Sequence, residues 1–279
     1  MKIFKAELFR LTHERKYRML LISAVVLAVL QTIVFALGMN YLQDIELNKL
    51  SIFKINEGYE FGLFKVKDIK NIAEMTLNEI LVNIICKNGL AIYIAFVISF
   101  YLSEFSEKIV KYLKIKKYSD TNIFLSMTAL VLVVSNFIFG VYFFSLMFSC
   151  GSLLHLEGGV VAWGIGTWKL IGFVWIQMNF YVLFVTMVSL FCQRLVVAVV
   201  INIGMILSFT QAMKFIEMIL NKEGIFQGYW MLSQIESLFL SGESAMHFGE
   251  CIGKTFCFAF VCFLLNGMRI KMVGKELYY

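Results

Sequence analysis

Apolar residues occupy the chain in long runs, and the polar stretches between them mark where one run ends and the next begins. Met19 to Gln43 carries no charge over 25 residues, enough helix at about 1.5 Å per residue to cross a hydrocarbon layer of ~30 Å. Comparable runs follow, and together they predict spans at about 19–40, 80–102, 122–148, 170–193, 195–213 and 253–270. Lys87 and Asn88 interrupt the second span in its outer third, where a lysine can reach the interface. Arg194 alone separates the fourth span from the fifth, which predicts a tight helical hairpin. The sixth has only 14 uncharged residues, Thr255 to Met268, and crosses only if Lys254 and Arg269 extend outward from its ends.

The polar segments differ in character. The N-terminal MKIFKAELFRLTHERKYR is basic and places Phe4, Leu8 and Leu11 on one helical face, which predicts an amphipathic helix lying in the headgroups. Asp44 to Glu79 mixes seven acids and five lysines with scattered Ile, Leu and Phe, the composition of a folded outer loop. The Gly-rich segment from Gly151 reads as a short outer connection. Asn221 to Gly253 is too polar to cross and too apolar for a plain solvated loop; helices that dip partway into the membrane and return satisfy both properties. Glu104 to Thr121, EFSEKIVKYLKIKKYSDT, is the most densely basic internal stretch. Its first half, to Leu113, predicts a helix against the membrane with Ile109, Val110 and Leu113 packed down; its second half is the basic turn that starts the third span.

Composition agrees with this pattern. Hydrophobic residues make up 60% of the 279 and charged ones 16%, against roughly 45–50% and ~25% in soluble domains. The expected fold is therefore an all-α membrane protein of six transmembrane helices, a single transmembrane domain over 1–279 with no room for a separate catalytic domain. The net charge of +6 is explained by cytoplasmic loops, and no nucleic-acid partner is expected. Six Lys and Arg precede the first span, five lie in 104–121, Arg194 is in the hairpin turn, and Arg269, Lys271 and Lys275 close the chain. With these segments inside, the outer loops are longer and less basic, so both termini are expected in the cytoplasm.

Candidate chemistry is sparse. The six cysteines form no CxxC pair, so neither metal nor redox chemistry is expected; Cys150 and Cys251 both fall near the outer surface, where a disulfide between them is one option. His13, His155 and His247 share no ligand spacing and read as surface histidines. GECIGKT, Gly249 to Thr255, has three residues between its glycines where a phosphate loop needs four, and reads as a softened start to the sixth span. No GxSxG elbow occurs, and no catalytic residue is expected. Lys214 and Glu217 are spaced for a local ion pair. Gln31, Asn136, Gln177, Asn179, Asn202 and Asn266 lie inside predicted spans, where an amide seeks a partner on another helix; Asn136, Gln177, Asn179 and Asn202 are alternatively candidates to line a substrate path. The intramembrane carboxylates a proton relay requires are missing from the pattern.

Taken together, the basic entry helix, the charged loop after span two and the re-entrant segment before span six resemble an ABC-2-type ABC transporter permease. The most local likeness is KYSDTNIFLSM, Lys117 to Met127, which is similar to the family pattern G-Y-S-R-T-x-I-Y-L-S-K at Tyr118, Ser119, Thr121, Ile123, Leu125 and Ser126. Lys117 stands where the family commonly has glycine, Asp120 where it has arginine. Length and Lys/Ile/Phe-rich style are similar to those of permeases of lantibiotic or other bacteriocin immunity systems. The resemblance implies a coupling helix after span two, with Glu104, Glu107, Lys111, Lys114, Tyr118 and Ser119 facing an ATP-binding cassette ATPase subunit. It implies ATP and Mg on that partner and no cofactor on this chain, a second permease copy or paralogue, a bacterial cell membrane, and export of an amphipathic bacteriocin-like peptide or lipid-like substrate. The alternative is a non-transporting membrane sensor or scaffold whose outer loop binds a ligand.

Overall fold

Small and polar residues join large apolar ones where the long helices pack. A computed structural model describes residues 2–46, 54–55, 58–61, 64–66, 72, 75–85, 89–104, 113, 115–154, 165–192, 194–220, 234 and 246–275. Helix α1 is Lys2–His13 and α2 is Arg15–Glu46, parted only at Glu14. Phe4 and Leu8 of α1 rest against the core, as an amphipathic entry helix requires. Along α2 the buried stripe is Tyr17, Ala24, Ala28, Gln31, Thr32, Phe35 and Met39, while Ile22, Val26, Leu30, Ile33 and Leu37 point outward. Lipid is as apolar as leucine, so helices in a bilayer gain by bringing small and hydrogen-bonding residues together and leaving the large ones outside.

Between Glu46 and the next helix lie three short strands, β1 Lys54–Ile55, β2 Gly58–Phe61 and β3 Phe64–Val66. They form an antiparallel meander in the order β1-β2-β3, with Lys54 opposite Tyr59 and Tyr59 opposite Val66. Apart from this small sheet nearly all the described residues are helical, in line with the all-α expectation, and β3 lies against the helix that follows. That helix, α3 Leu77–Ile85, opens on a capping box in which the Thr76 backbone N–H donates to Glu79 Oε2 at 2.8 Å and the Glu79 N–H donates to Thr76 Oγ1 at 3.3 Å.

The second predicted span is a bent pair, not one rod. Helix α3 and α4, Gly89–Glu104, differ in direction by 48°, the change falling at the polar interruption noted in the sequence. Helix α5, Asp120–Leu153, is 34 residues and about 51 Å long at 1.5 Å per residue. It runs through Gly151, which the sequence had assigned to an outer connection, because a glycine inside an apolar helix costs only ~1 kcal/mol when neighbouring helices hold it. Helix α6 is Ile165–Cys192 and α7 is Leu195–Ile219, joined through Arg194 as the hairpin expectation required. Helix α8, Met246–Lys275, has 30 residues, twice the uncharged core; Gly249 and Gly253 lie inside it, so GECIGKT is helix and not a phosphate-binding loop.

Among the described residues four helical stretches are long and apolar enough to cross a membrane: Arg15–Tyr41, Asp120–Leu153, Trp168–Cys192 and Gly249–Met272. The bent α3–α4 pair raises the number to five, and the apolar part of α7 is the shorter Leu195–Ser208. This is coarser than the six spans expected. Helices α5 and α6 form the centre: α5 touches α1, α2, α3, α4, α6 and α8, and α6 touches α3, α4, α5, α7 and α8. Of the predicted re-entrant segment, residues 221–233 and 235–245 lie outside the described residues; Gln234 is buried.

Candidate functional site

Two regions combine positions singled out in the sequence with defined geometry: the junction that opens α5, and the amides between the central helices. Leu113 and Ile115 are helical, and the chain then turns through Lys116 and Lys117. Lys117 has φ 62°, the left-handed conformation that favours glycine. The Tyr118 N–H donates back to the Leu113 carbonyl at 3.1 Å. A residue in the left-handed region followed by this long-range bond is a Schellman helix end, with Lys117 in the place glycine commonly holds and Tyr118 one residue beyond. Leu113 and Tyr118 are both half-buried and packed against the core.

The next residue starts the next helix. Ser119 is extended and its Oγ accepts from the Asn122 N–H at 3.3 Å, capping α5, with Asp120 in the first turn where negative charge suits the helix dipole. One helix therefore ends and the longest begins within four residues, 116–119, a link too short to absorb much motion. Of the six predicted coupling residues, Tyr118 closes the Schellman turn and Ser119 caps α5. Glu104 closes α4, while Glu107, Lys111 and Lys114 lie outside the described residues.

Deeper in the bundle every one of the six amides hydrogen-bonds to another segment. Gln31 Oε1 accepts from the Tyr142 hydroxyl at 2.5 Å, tying α2 to α5. Asn136 Nδ2 donates to Asn179 Oδ1 at 2.8 Å and Asn179 Nδ2 returns the bond to Asn136 Oδ1 at 3.2 Å, tying α5 to α6; Trp175 Nε1 donates to the same Asn136 oxygen. Gln177 Nε2 donates to Gln234 Oε1 at 2.6 Å. Asn202 Nδ2 donates to Ser99 Oγ at 3.3 Å, and Ser99 and Ser189 share a bond at 2.9 Å, so α4, α6 and α7 meet at one buried polar point. Asn266 Nδ2 donates to the Leu183 carbonyl at 3.2 Å, tying α8 to α6. Gln31 Nε2, Gln177 Oε1, Asn202 Oδ1 and Asn266 Oδ1 remain buried without a hydrogen-bond partner among the described residues.

Sequence reading missed the serines at positions 99 and 189 and Tyr142, since an isolated hydroxyl in an apolar run has no spacing signal. It also offered a Cys150–Cys251 disulfide, and both are free thiols. Cys150 is turned into the bundle, 3.7 Å from Thr32 Oγ1, because its helix continues past the point where an outer loop was expected. The side chain of Lys214 lies outside the described residues, and Glu217 is buried. No group of three or more His, Cys, Asp or Glu able to hold a metal occurs among the described residues.

A cleft of about 820 Å³ is lined by residues of α1, α2 and α5 together with Val97 of α4. Its walls are apolar, Leu20 and Leu21 facing Leu132, Val133 and Phe137, and its polar positions include Thr12, Arg18 and Asn136. No protein-family model matches the chain, and neither a curated protein nor a solved structure shows significant similarity to it. What fold and site define together is a class: a helical bundle with several helices able to cross a membrane, stitched by buried amides and hydroxyls.

Proposed function

We propose that this chain is the permease subunit of an ATP-driven exporter of the ABC-2 type, working with a separate ATP-binding cassette ATPase and a second permease copy or paralogue. In this reading the bent α3–α4 pair and α7 each count as one crossing, giving six, and both termini face the cytoplasm. The single observation that carries the reading is the backbone at Lys117. The resembled pattern has glycine at this position, and here the chain adopts the left-handed conformation that glycine favours. A local likeness of sequence thus coincides with a local requirement of geometry.

The junction also suits the work. A helix seated on an ATPase and ending at Lys116 would transmit tilt to α5 through the 116–119 turn and the Tyr118-to-Leu113 backbone hydrogen bond. Because α5 touches α1, α2, α3, α4, α6 and α8, movement there reaches most of the bundle. The substrate class is an amphipathic peptide or lipid-like molecule.

Co-expression with the ATPase candidates encoded beside this gene tests the reading. An ATP-binding cassette protein should co-purify with the chain, and reversing charge at Lys111, Lys114 and Lys116 together should abolish the association while leaving membrane insertion unchanged. Failure of every such ATPase to associate, or transport that survives the charge reversal, sinks it. The β1–β3 meander favours a second reading, a membrane sensor or scaffold whose outer loop binds a ligand; that reading requires full activity in cells lacking any partner ATPase.

A further inference from the structure

We infer that the cleft between α1, α2 and α5 holds an anionic phospholipid of the surrounding bilayer, with its phosphate at Arg18 and an acyl chain along Leu20, Leu132 and Val133. The inference is independent of the exporter reading. At about 820 Å³ the cleft falls within the roughly 300–1,000 Å³ of pockets that enclose small ligands. Its apolar walls exclude a polar solute. Asn136, the polar group on the α5 wall, already bonds to Asn179 and Trp175, so the deep part asks for a chain and not a headgroup.

The charge lies at one end. Glu14 is engaged by Lys16 at 2.8 Å and by Arg10 at 3.8 Å, whereas no ion pair to Arg18 occurs among the described residues. Arg18 is exposed, lines the cleft, and is the last charge before the uncharged run that begins at Met19. It therefore stands at the boundary of the hydrocarbon, at the depth of lipid phosphates. The segment before the first long apolar run carries Lys2, Lys5, Arg10, Arg15, Lys16 and Arg18 against Glu7 and Glu14, so its net charge is positive. An apolar cleft with a guanidinium at its mouth complements one molecule abundant in its surroundings, a lipid with a negative phosphate, better than a zwitterionic lipid, whose ammonium would meet the same field.

Native mass spectrometry of the full chain in a neutral detergent tests this, by titrating phosphatidylglycerol and phosphatidylcholine of the same acyl chains. The wild-type protein should retain one phosphatidylglycerol in preference to phosphatidylcholine. Arg18→Gln should weaken phosphatidylglycerol binding about five-fold and leave phosphatidylcholine unchanged, and Arg18→Lys should keep the preference. Val133→Trp, which fills the cleft, should lose the bound lipid of either kind. The inference is overturned if Arg18→Gln retains the preference, or if Val133→Trp keeps its lipid. It is equally overturned if inorganic phosphate displaces the lipid, which would mark an anion site without a tail, or if the cleft-filling variant releases a second copy of the chain instead of lipid.

Discussion

Lys117 shows how one residue can be set by its neighbours against its own preference. A side chain in the left-handed region costs roughly 1–2 kcal/mol, and the Schellman bond from Tyr118 to Leu113, with both side chains packed against the core, holds the turn in place. Lys117→Gly should therefore raise the thermal unfolding midpoint in detergent, worth about 0.5–1 kcal/mol once the greater freedom of glycine in the unfolded chain is offset. Lys117→Val should lower it. The Asn136–Asn179 pair supports a second prediction. A double-mutant cycle with Asn136→Leu and Asn179→Leu should give a coupling energy of about 1 kcal/mol, since membrane hydrogen bonds average ~0.6 kcal/mol each and this pair makes two. Additive single losses would mean that the two amides do not meet.

Among elements, α4 meets the Gln31 side chain of α2 at its first residue. A Cβ at Gly89 would collide with the Gln31 amide nitrogen, and Gln31 is buried with its oxygen held by Tyr142. At this first residue of α4 the Gln31 amide occupies the space a side chain would take. Gly89→Ala should break the Gln31–Tyr142 bond and destabilise the fold by about 1–3 kcal/mol, the cost of stranding a buried polar group. Gln31→Ala in the same molecule should restore much of the loss, a rescue visible as a recovered unfolding midpoint. If the double variant is less stable than either single one, the clash is not the cause.

Across the whole molecule, the central fact is that α2 and α5 run side by side in the same direction: contacts advance from Leu20 and Leu132 at the cleft, to Gln31 with Tyr142, to Thr32 with Cys150. Thr32→Cys should therefore form a disulfide with Cys150 under mild oxidation. Mass spectrometry of proteolytic fragments would detect the cross-link; Cys150 found joined to Cys251 instead would contradict this packing. Exposed apolar faces on α2, α7 and α8, such as Val26, Val200 and Phe260, are the surfaces that lipid covers in a bundle of this kind.

Hydropathy alone was sufficient for the existence and approximate ends of most helices, because an uncharged run of 20 or more residues has few other uses. The N-terminal entry helix, the hairpin at Arg194 and the interhelical role of the six amides were legible for the same reason: periodicity, a lone charge and a polar atom in an apolar run are local signals. Tertiary structure decided the rest. The sheet at 54–66 depends on pairing between strands of two to four residues, too short to stand out in composition. The bend between α3 and α4, the continuation of α5 through Gly151 and the helical GECIGKT segment follow from packing against neighbours. Which amide meets which, and that Arg18 stands over an apolar cleft, depend on the rotation of each helix about its axis, and hydropathy does not specify that rotation when every face is apolar. The placement of small residues such as Ala24 and Ala28 does, once a partner helix lies beside them.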